Sequence, residues 1–277
     1  MKKKTFLITL SIFITAVIVI ILAYGAKLLK ESFIEPTYDT VTIERSSDFY
    51  EIKAEYPRES LDKDNIMKTY VTNLVEERMA DWEVGGEIYN AEQAVAQEFP
   101  DRPKMVYTLN ILYQKFNSSD LDTVSYLFIV EEYTGGANGI INVQTFTFDS
   151  NGLVEIEDVL NLAGETINPE GLVVYNDLAL SKLIFEQTTK NEELFPNSEI
   201  TQEGLGLAYL KDDGVSLDLE KCHCDGWFYG ANLQNFVLTN EGISFFYGKC
   251  DITICASGVV QVSLDWKTLA PYLVAID

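Results

Sequence analysis

The amino-acid sequence predicts an α+β protein, with antiparallel sheets and packed helices in two modules after one N-terminal transmembrane helix. Three observations lead to this prediction. An uncharged, apolar run extends from Thr5 to Tyr24. Segments with alternating apolar residues follow one another through short turns between residues 105 and 149. Helical and strand patterns occur in blocks, without the regular strand–helix alternation of a parallel sheet, and such blocks are typical of α+β domains.

The apolar run is long enough to span a membrane. Its twenty residues, at ~1.5 Å each, cover the ~30 Å core of a bilayer. The apolar core of a cleaved signal peptide is shorter, about 7–15 residues, although Ala23-Tyr24-Gly25 is a weak cleavage site and leaves cleavage open. The three lysines before the run favour a cytoplasmic N-terminus. We therefore predict a single-pass protein of the cell membrane with an extracytoplasmic main domain, and these segments: a cytoplasmic tail (1–4), a transmembrane signal anchor (5–25) and a stalk (26–48).

The first module is expected at residues 49–148. Its first strand covers Phe49–Pro57, and three strands between residues 105 and 149 are joined by short turns, which favours an antiparallel meander. Between them, apolar residues recur at spacings of three and four, which predicts an amphipathic helix. The predicted buried stripe of this helix is Met67, Tyr70, Val71, Leu74, Val75, Met79 and Trp82.

The second module is expected at residues 149–277. Asn168 at a cap position and Pro169 at the first helical position predict the start of a helix. Its predicted buried stripe is Leu172, Tyr175, Ala179 and Leu183. A hairpin around Asn240–Gly242, a further strand and a short final helix complete the module.

The charge balance restricts the classes of partner. The chain has 43 Asp and Glu against 20 Lys and Arg, for a net charge of −23, and every acidic residue follows the apolar run. Such a surface repels nucleic acid and anionic lipid and attracts cations and basic proteins. The other interpretation is that the acidity only keeps the domain soluble.

The four cysteines lie in two pairs, one of which encloses the chain's single histidine, His223. Outside the cytoplasm paired cysteines oxidise, so disulfides are favoured over a zinc site and over free thiols. Because a bridge between residues two apart would close a small strained ring, two cross-segment pairings stay open. The predicted disulfide residues, which are also the ligands of the alternative zinc site, are Cys222, Cys224, Cys250 and Cys255.

Glycines mark two turns. The segment Thr134–Gly139 reads TGGANG and does not match a phosphate-binding loop, so a turn that needs positive φ is the better interpretation. The predicted structural turn residues are Gly135, Gly136, Asn138, Gly139 and Gly242.

Catalytic patterns are weak. The acidic groups Glu131-Glu132, Asp212-Asp213 and Glu155/Glu157/Asp158 lack the spacing of an EF-hand loop, and solvated faces and turns are the better interpretation. Any Ser-His or Cys-His arrangement would have to use His223. We therefore expect no enzyme, no cofactor and no metal, with a hydrolase that depends on carboxylates alone as the alternative.

Two stretches carry a family resemblance. VEEYTGGANG (130–139), followed by FTFDSNGLVEIEDVLN (146–161), resembles the YTGGAHG and FDL-TG-LDDLF signature of a bacterial extracytoplasmic family of unknown function. The C-terminal pattern of the family is similar to residues 236–273, which begin with FVLTNEGISFFYGK, and the resemblance covers about residues 49–277. The family includes the lysozyme-binding ectodomain of the sigma-V anti-sigma factor and accessory modules of a peptidoglycan deacetylase.

The resemblance implies an α+β fold of two modules and a binding or sensing role in the cell envelope, with a basic, lysozyme-like protein as the partner. Two positions depart from the family pattern: Asn138 replaces its histidine, and Ile254-Cys255-Ala256 replaces its PYA turn. The predicted cytoplasmic tail is too short to bind a sigma factor, so we expect no anti-sigma activity. The alternative function is a carboxylate-dependent enzyme or an accessory factor that acts on cell-wall polysaccharide.

Overall fold

The structure is a computed structural model. It describes residues 39–58, 61–96, 106–135, 139–167, 171–189, 204–216, 218–222, 229–252 and 258–274. The predicted tail and anchor and most of the predicted stalk lie outside these ranges. Within them, no helix is both long enough and apolar enough to cross a bilayer.

A six-stranded sheet with the strand order β1-β2-β3-β4-β5-β6 forms the first half of the fold. Neighbouring strands are antiparallel except β2 and β3, which are parallel. The predicted α+β class is confirmed, and the predicted antiparallel pairing holds for every strand pair of this sheet except this one. The parallel pair arises because the long helix Leu61–Ala96 (α1) returns the chain to the start of the sheet, and only a long connection permits a parallel pair. The strands are β1 Thr40–Ser46, β2 Tyr50–Pro57, β3 Tyr107–Ser118, β4 Thr123–Tyr133, β5 Ile140–Phe148 and β6 Leu153–Val154, and α1 is Leu61–Ala96.

Strand β1 lies within the predicted stalk, which corrects the expected boundary at residue 48. It pairs with β2 along its whole length, from Thr40 opposite Pro57 to Ser46 opposite Glu51. Val41 and Ile43 pack against the buried core beneath the sheet. Their alternation with polar residues is the pattern of a half-buried strand.

Helix α1 covers one face of the large sheet. Met67, Val71, Val75 and Trp82 are buried against it, which confirms that part of the predicted stripe. Tyr70, Leu74 and Met79 are partly buried at the margin of the same cluster. The strands contribute Ile52, Ala54, Leu109, Ile111, Tyr126, Phe128 and Val130, among others.

A three-stranded sheet packs on the opposite face of the large sheet. Leu127 and Val143 of the large sheet meet Val237 and Phe246 of the small one in an apolar cluster. The strand order is β11-β10-β9, with β9 Phe236–Leu238, β10 Gly242–Tyr247 and β11 Val260–Asp265.

The other face of the small sheet packs against the helix Asn176–Thr189 (α3), and these elements enclose the largest buried cluster among the described residues. The described residues from Thr40 onward form one compact unit, and the division into two modules stays a prediction. The remaining elements are α2 Ile156–Val159, β7 Glu165–Ile167, β8 Val173–Tyr175, α3 Asn176–Thr189, α4 Leu219–Cys222, α5 Trp266–Leu269 and 3-10 turns at Leu207–Tyr209, Tyr229–Leu233 and Ala270–Tyr272.

The helix predicted from Asn168 begins later, at Asn176. Asn168 and Pro169 lie outside the described residues, and Val173–Tyr175 form strand β8. The two adjacent valines favour a strand, because their branched side chains lose rotamer freedom in a helix. Leu172 and Tyr175, expected to be buried, are exposed.

Candidate binding surface

The most buried acidic residue among those described forms a structural ion pair. Glu132 is 8% exposed, and its carboxylate accepts hydrogen bonds from Nε of Arg78 at 2.8 Å and from the second guanidinium arm at 3.2 Å. The hydrogen bond to Glu132 raises the pKa of Arg78 further. This bidentate pair neutralises Glu132, so the geometry is that of a structural ion pair.

Other predicted acidic residues complete turns and caps. Asp213 accepts the backbone N–H groups of Val215 and Ser216 at 2.9 and 2.8 Å. Hydrogen bonds from Ser216 and Val215 lower the pKa of Asp213 to about 2. Asp158 accepts the backbone N–H of Glu155 at 2.8 Å in the capping box of α2. Both carboxylates accept hydrogen bonds from backbone N–H groups, which is the environment of a turn or a helix cap.

The hairpin β7–β8 presents apolar side chains to solvent. Ile167 pairs with Val173, and Glu165 pairs with Tyr175, so these four side chains share one face. Ile167, Val173 and Tyr175 are 72%, 55% and 58% exposed. We call this face, together with the adjacent exposed Leu172, the hairpin patch. Contiguous exposed apolar residues of this kind mark interaction surfaces.

The hairpin is held firmly from its inner side. Val174, which points to the opposite face, is buried in the core with 2% exposure. The backbone N–H of Asn176 donates to the carbonyl oxygen of Gly164 at 2.9 Å, and its side-chain amide donates to the carbonyl oxygen of Asn161 at 2.7 Å. The patch is therefore displayed on an ordered base.

A second surface is acidic. Glu44, Lys53, Asn110 and Glu131 lie opposite one another across strands β1 to β4. Glu44 and Glu131 are exposed, as is Glu51 on the same face. Lys53 pairs with Glu55 at 2.8 Å, and Asn110 donates to Glu131 at 3.1 Å. This outer face of the sheet carries a net negative charge.

Most of the residues of the predicted cysteine site lie outside the described part of the structure. Cys250 lies within it and has a left-handed φ of 74°. Cys224, Cys255, His223 and the side chain of Cys222 lie outside it, so both the pairing and the alternative zinc site stay predictions.

The predicted turn glycines lie at two sheet ends. Gly135 follows β4 with φ of 91°, which glycine adopts at no steric cost. Gly136 and Asn138 lie outside the described residues. A side chain at Gly139 would come within 2.8 Å of the carbonyl oxygen of Glu132, and one at Gly242 would collide with the carbonyl oxygen of Leu264. At these two positions the close approach of backbone requires glycine.

Sequence reasoning missed the hairpin patch. It assigned Leu172 and Tyr175 to a buried helical stripe, because an exposed apolar residue and a core residue look alike in a sequence. The available signal was the pair Val173-Val174, which favours a strand and separates these residues from the helix that follows.

The fold is of the α+β class, and solved structures show which known proteins share it. No family model and no curated protein matches the sequence. A solved member of the DUF3298 family from Bacteroides fragilis is similar in fold, with a TM-score of 0.52 and 17% identity over 86% of this chain and 93% of that one. A DUF3298 protein from Pseudomonas aeruginosa gives a TM-score of 0.42 at 12% identity, over 86% of this chain and 95% of that one.

Proposed function

We propose that this chain is a membrane-anchored, extracytoplasmic binding or sensing domain of the cell envelope, and that it binds a basic protein of the lysozyme type. The observation that carries the proposal is the hairpin patch, an exposed apolar surface in a strongly acidic chain.

The patch has the composition of an interface centre. Aromatic side chains are enriched at the centres of interfaces, and Tyr175 combines an apolar ring with a hydroxyl group. The aliphatic Ile167 and Val173 flank each other across the hairpin. Their burial by a partner would supply affinity, since exposed apolar area is removed from water.

The charge of the chain supports the choice of partner. A net charge of −23 attracts a basic protein and speeds its encounter, while apolar contacts decide which basic protein stays bound. Lysozymes are basic, and the motifs of residues 130–161 and 236–249 resemble those of a lysozyme-binding ectodomain. The proposal therefore rests on charge, on an exposed patch and on that resemblance.

Calorimetric binding of the full chain in nanodiscs to lysozyme tests the proposal, with cytochrome c as an equally basic control at ~150 mM salt, where loose charge attraction is screened. We expect binding to lysozyme alone. Ile167→Ser and Tyr175→Ala should each weaken it about tenfold or more, as truncation of an interface anchor does. The matched control is Ile88→Ser, because Ile88 is also exposed, at 54%, but lies on α1.

Equal, weak binding to lysozyme and cytochrome c would contradict the proposal and leave the acidity as a solubility trait. Lysozyme binding that is unchanged in Ile167→Ser and Tyr175→Ala would retain the partner but exclude the hairpin patch as its site.

A further inference from the structure

A cleft of about 530 Å³ opens between helix α1 and strand β5. The cleft is shallow and open to solvent, so a ligand would lie along it and would not be enclosed. The rings of Tyr70 and Phe146 form part of its wall, beside the aliphatic side chain of Ile66. The polar part consists of Asn65, Thr69 and Asn73 of the helix and of Gln144, whose amide already donates to the carbonyl oxygen of Thr145 at 3.0 Å. The cleft therefore combines aromatic faces with neutral hydrogen-bonding groups.

None of the described residues that line the cleft is charged, although the chain has 43 acidic residues. The buried carboxylate of Glu132, which acts electrostatically on Tyr70, is neutralised by Arg78 at 2.8 Å. Burial raises the pKa of Tyr70 to about 12, so its phenol is also neutral at ordinary pH. The described lining of the cleft therefore lacks the negative charge that attracts cations to other parts of the surface. Such a lining suits a neutral ligand.

The polar groups are free to bind a ligand. Asn65, Thr69 and Asn73 recur every four residues and so lie on one side of the helix. All three are exposed, and within the described part of the protein no hydrogen bond engages their side chains. Amides both donate and accept hydrogen bonds, and the threonine hydroxyl does the same. They span ~12 Å of helix, which is longer than a single sugar ring.

The aromatic part is rigid. Tyr70 packs edge-on against Phe128, with ring centroids 5.8 Å apart, and against Phe146 at 5.5 Å. Phe128 and Phe146 are themselves perpendicular neighbours at 5.8 Å. Such an interlocked cluster holds the rings in fixed positions. Fixed rings offer a surface to the C–H groups of a ligand at little entropic cost.

We propose that this cleft binds a neutral oligosaccharide. One face of a pyranose ring presents C–H groups, which suit Tyr70 and Phe146, and its edge presents hydroxyl groups, which suit Asn65, Thr69 and Asn73. An apolar peptide would also pack against the rings, but it would leave the amide and hydroxyl groups of the helix without hydrogen-bond partners. Each polar group that is desolvated in this way costs binding free energy. This site and its ligand differ from the hairpin patch and its protein partner, so the two proposals fail independently.

The test uses the full chain in nanodiscs, which contain no sugar detergent, and saturation-transfer NMR with two neutral probes, chitotetraose and cellotetraose. We expect at least one tetrasaccharide to bind, and the choice between them distinguishes N-acetylated from plain glucans. Asn73→Leu and Thr69→Val should each weaken binding about tenfold. Because both residues are exposed on a helix surface, the variants should fold, and circular dichroism verifies this.

The matched control is Gln114→Leu. Gln114 is an exposed amide that lies opposite Leu127 and therefore on the other face of the sheet. Its variant should bind the sugar as the natural chain does. Binding of neither tetrasaccharide, or equal binding in Asn73→Leu and Gln114→Leu, overturns the proposal. Binding of an uncharged apolar peptide in place of both sugars would also overturn it and identify a peptide groove.

Discussion

The backbone N–H of Leu238 donates a hydrogen bond to Oγ of Ser125, 3.1 Å away and 113 residues earlier in the chain. Two residues before it, the N–H of Phe236 donates to Oγ1 of Thr145 at 2.8 Å. Both donors belong to β9, which has β10 on one side only. The hydroxyl groups of the large sheet thus replace the missing neighbour strand, and they fix the small sheet in one position.

Ser125→Ala tests this relationship. It leaves the N–H of Leu238 without its acceptor in a site where Ser125 is fully buried. An unsatisfied buried donor costs about 1–3 kcal/mol, and we expect the free energy of unfolding in urea to fall by that amount. Ser150→Ala, in an exposed turn, is the control and should change it by less than about 0.5 kcal/mol. Equal effects of the two substitutions would contradict the assignment.

Removal of one member of the Arg78–Glu132 ion pair should lower the free energy of unfolding strongly. Arg78→Met leaves the carboxylate of Glu132 buried without its partner, and loss of one member of a buried pair costs about 3–5 kcal/mol. The side chain of Arg78 is 23% exposed, so we expect the lower end of that range in urea unfolding at neutral pH.

The double variant Arg78→Met/Glu132→Leu should recover most of this loss, because no buried charge remains unpaired. The exposed Arg45 supplies the control: Arg45→Met should leave the stability nearly unchanged. A double variant as unstable as Arg78→Met would show that the loss comes from packing and not from the stranded charge.

Replacement of two adjacent glycines in α1 by alanine should change the stability of the protein in opposite directions. A methyl group at Gly85 would meet only Tyr107, at 3.4 Å, so Gly85→Ala should stabilise the protein by up to about 1 kcal/mol through helix propensity. A methyl group at Gly86 would collide with the ring of Phe49. Gly86→Ala should therefore destabilise it by about 1–3 kcal/mol, as overpacking does. Thermal unfolding of both variants checks this, and a shift of the same sign would refute the packing of Phe49 on α1.

The free energy of unfolding should decrease at alkaline pH. Burial raises the pKa of Tyr70 and of Tyr229 to about 12, above the ordinary value of 10.0. The unfolded chain therefore loses these protons first, so the stabilisation present below pH 10 is lost as the pH rises towards about 12. Urea unfolding between pH 8 and pH 12 measures this decline. Tyr70→Phe removes one titrating group and should make the decline shallower, whereas an unchanged slope would speak against a buried Tyr70 phenol.

The part of the fold that the sequence predicts is the part determined by local periodicity. Met67, Val71 and Val75 follow the 3.6-residue period of a helix that covers one sheet, and they are buried as expected. The strands β3, β4 and β5 alternate and follow one another through short turns, which makes antiparallel pairing the natural expectation. The parallel pairing of β2 with β3 depends on where a 36-residue helix returns the chain, and no local pattern encodes that.

The hairpin patch and the cleft could not be predicted from the sequence for a related reason. Ile167, Val173 and Tyr175 have the composition of core residues, and only the tertiary structure shows that Val174 alone of this strand points inward. Likewise, Asn65, Thr69 and Asn73 look like the ordinary polar side of a helix. Their relation to Phe146 arises from packing between segments that are more than 70 residues apart.

The pairing of β1 has a mechanical consequence. Its open end is the pair Thr40–Pro57, and the strand is joined to β2 by a tight turn after Ser46. Tension applied to the chain at Thr40 would load these strand pairs one after another from that end, as in unzipping, and not all together as in shear. Strand β1 would therefore peel away at low force and leave β2 as the new edge of the sheet.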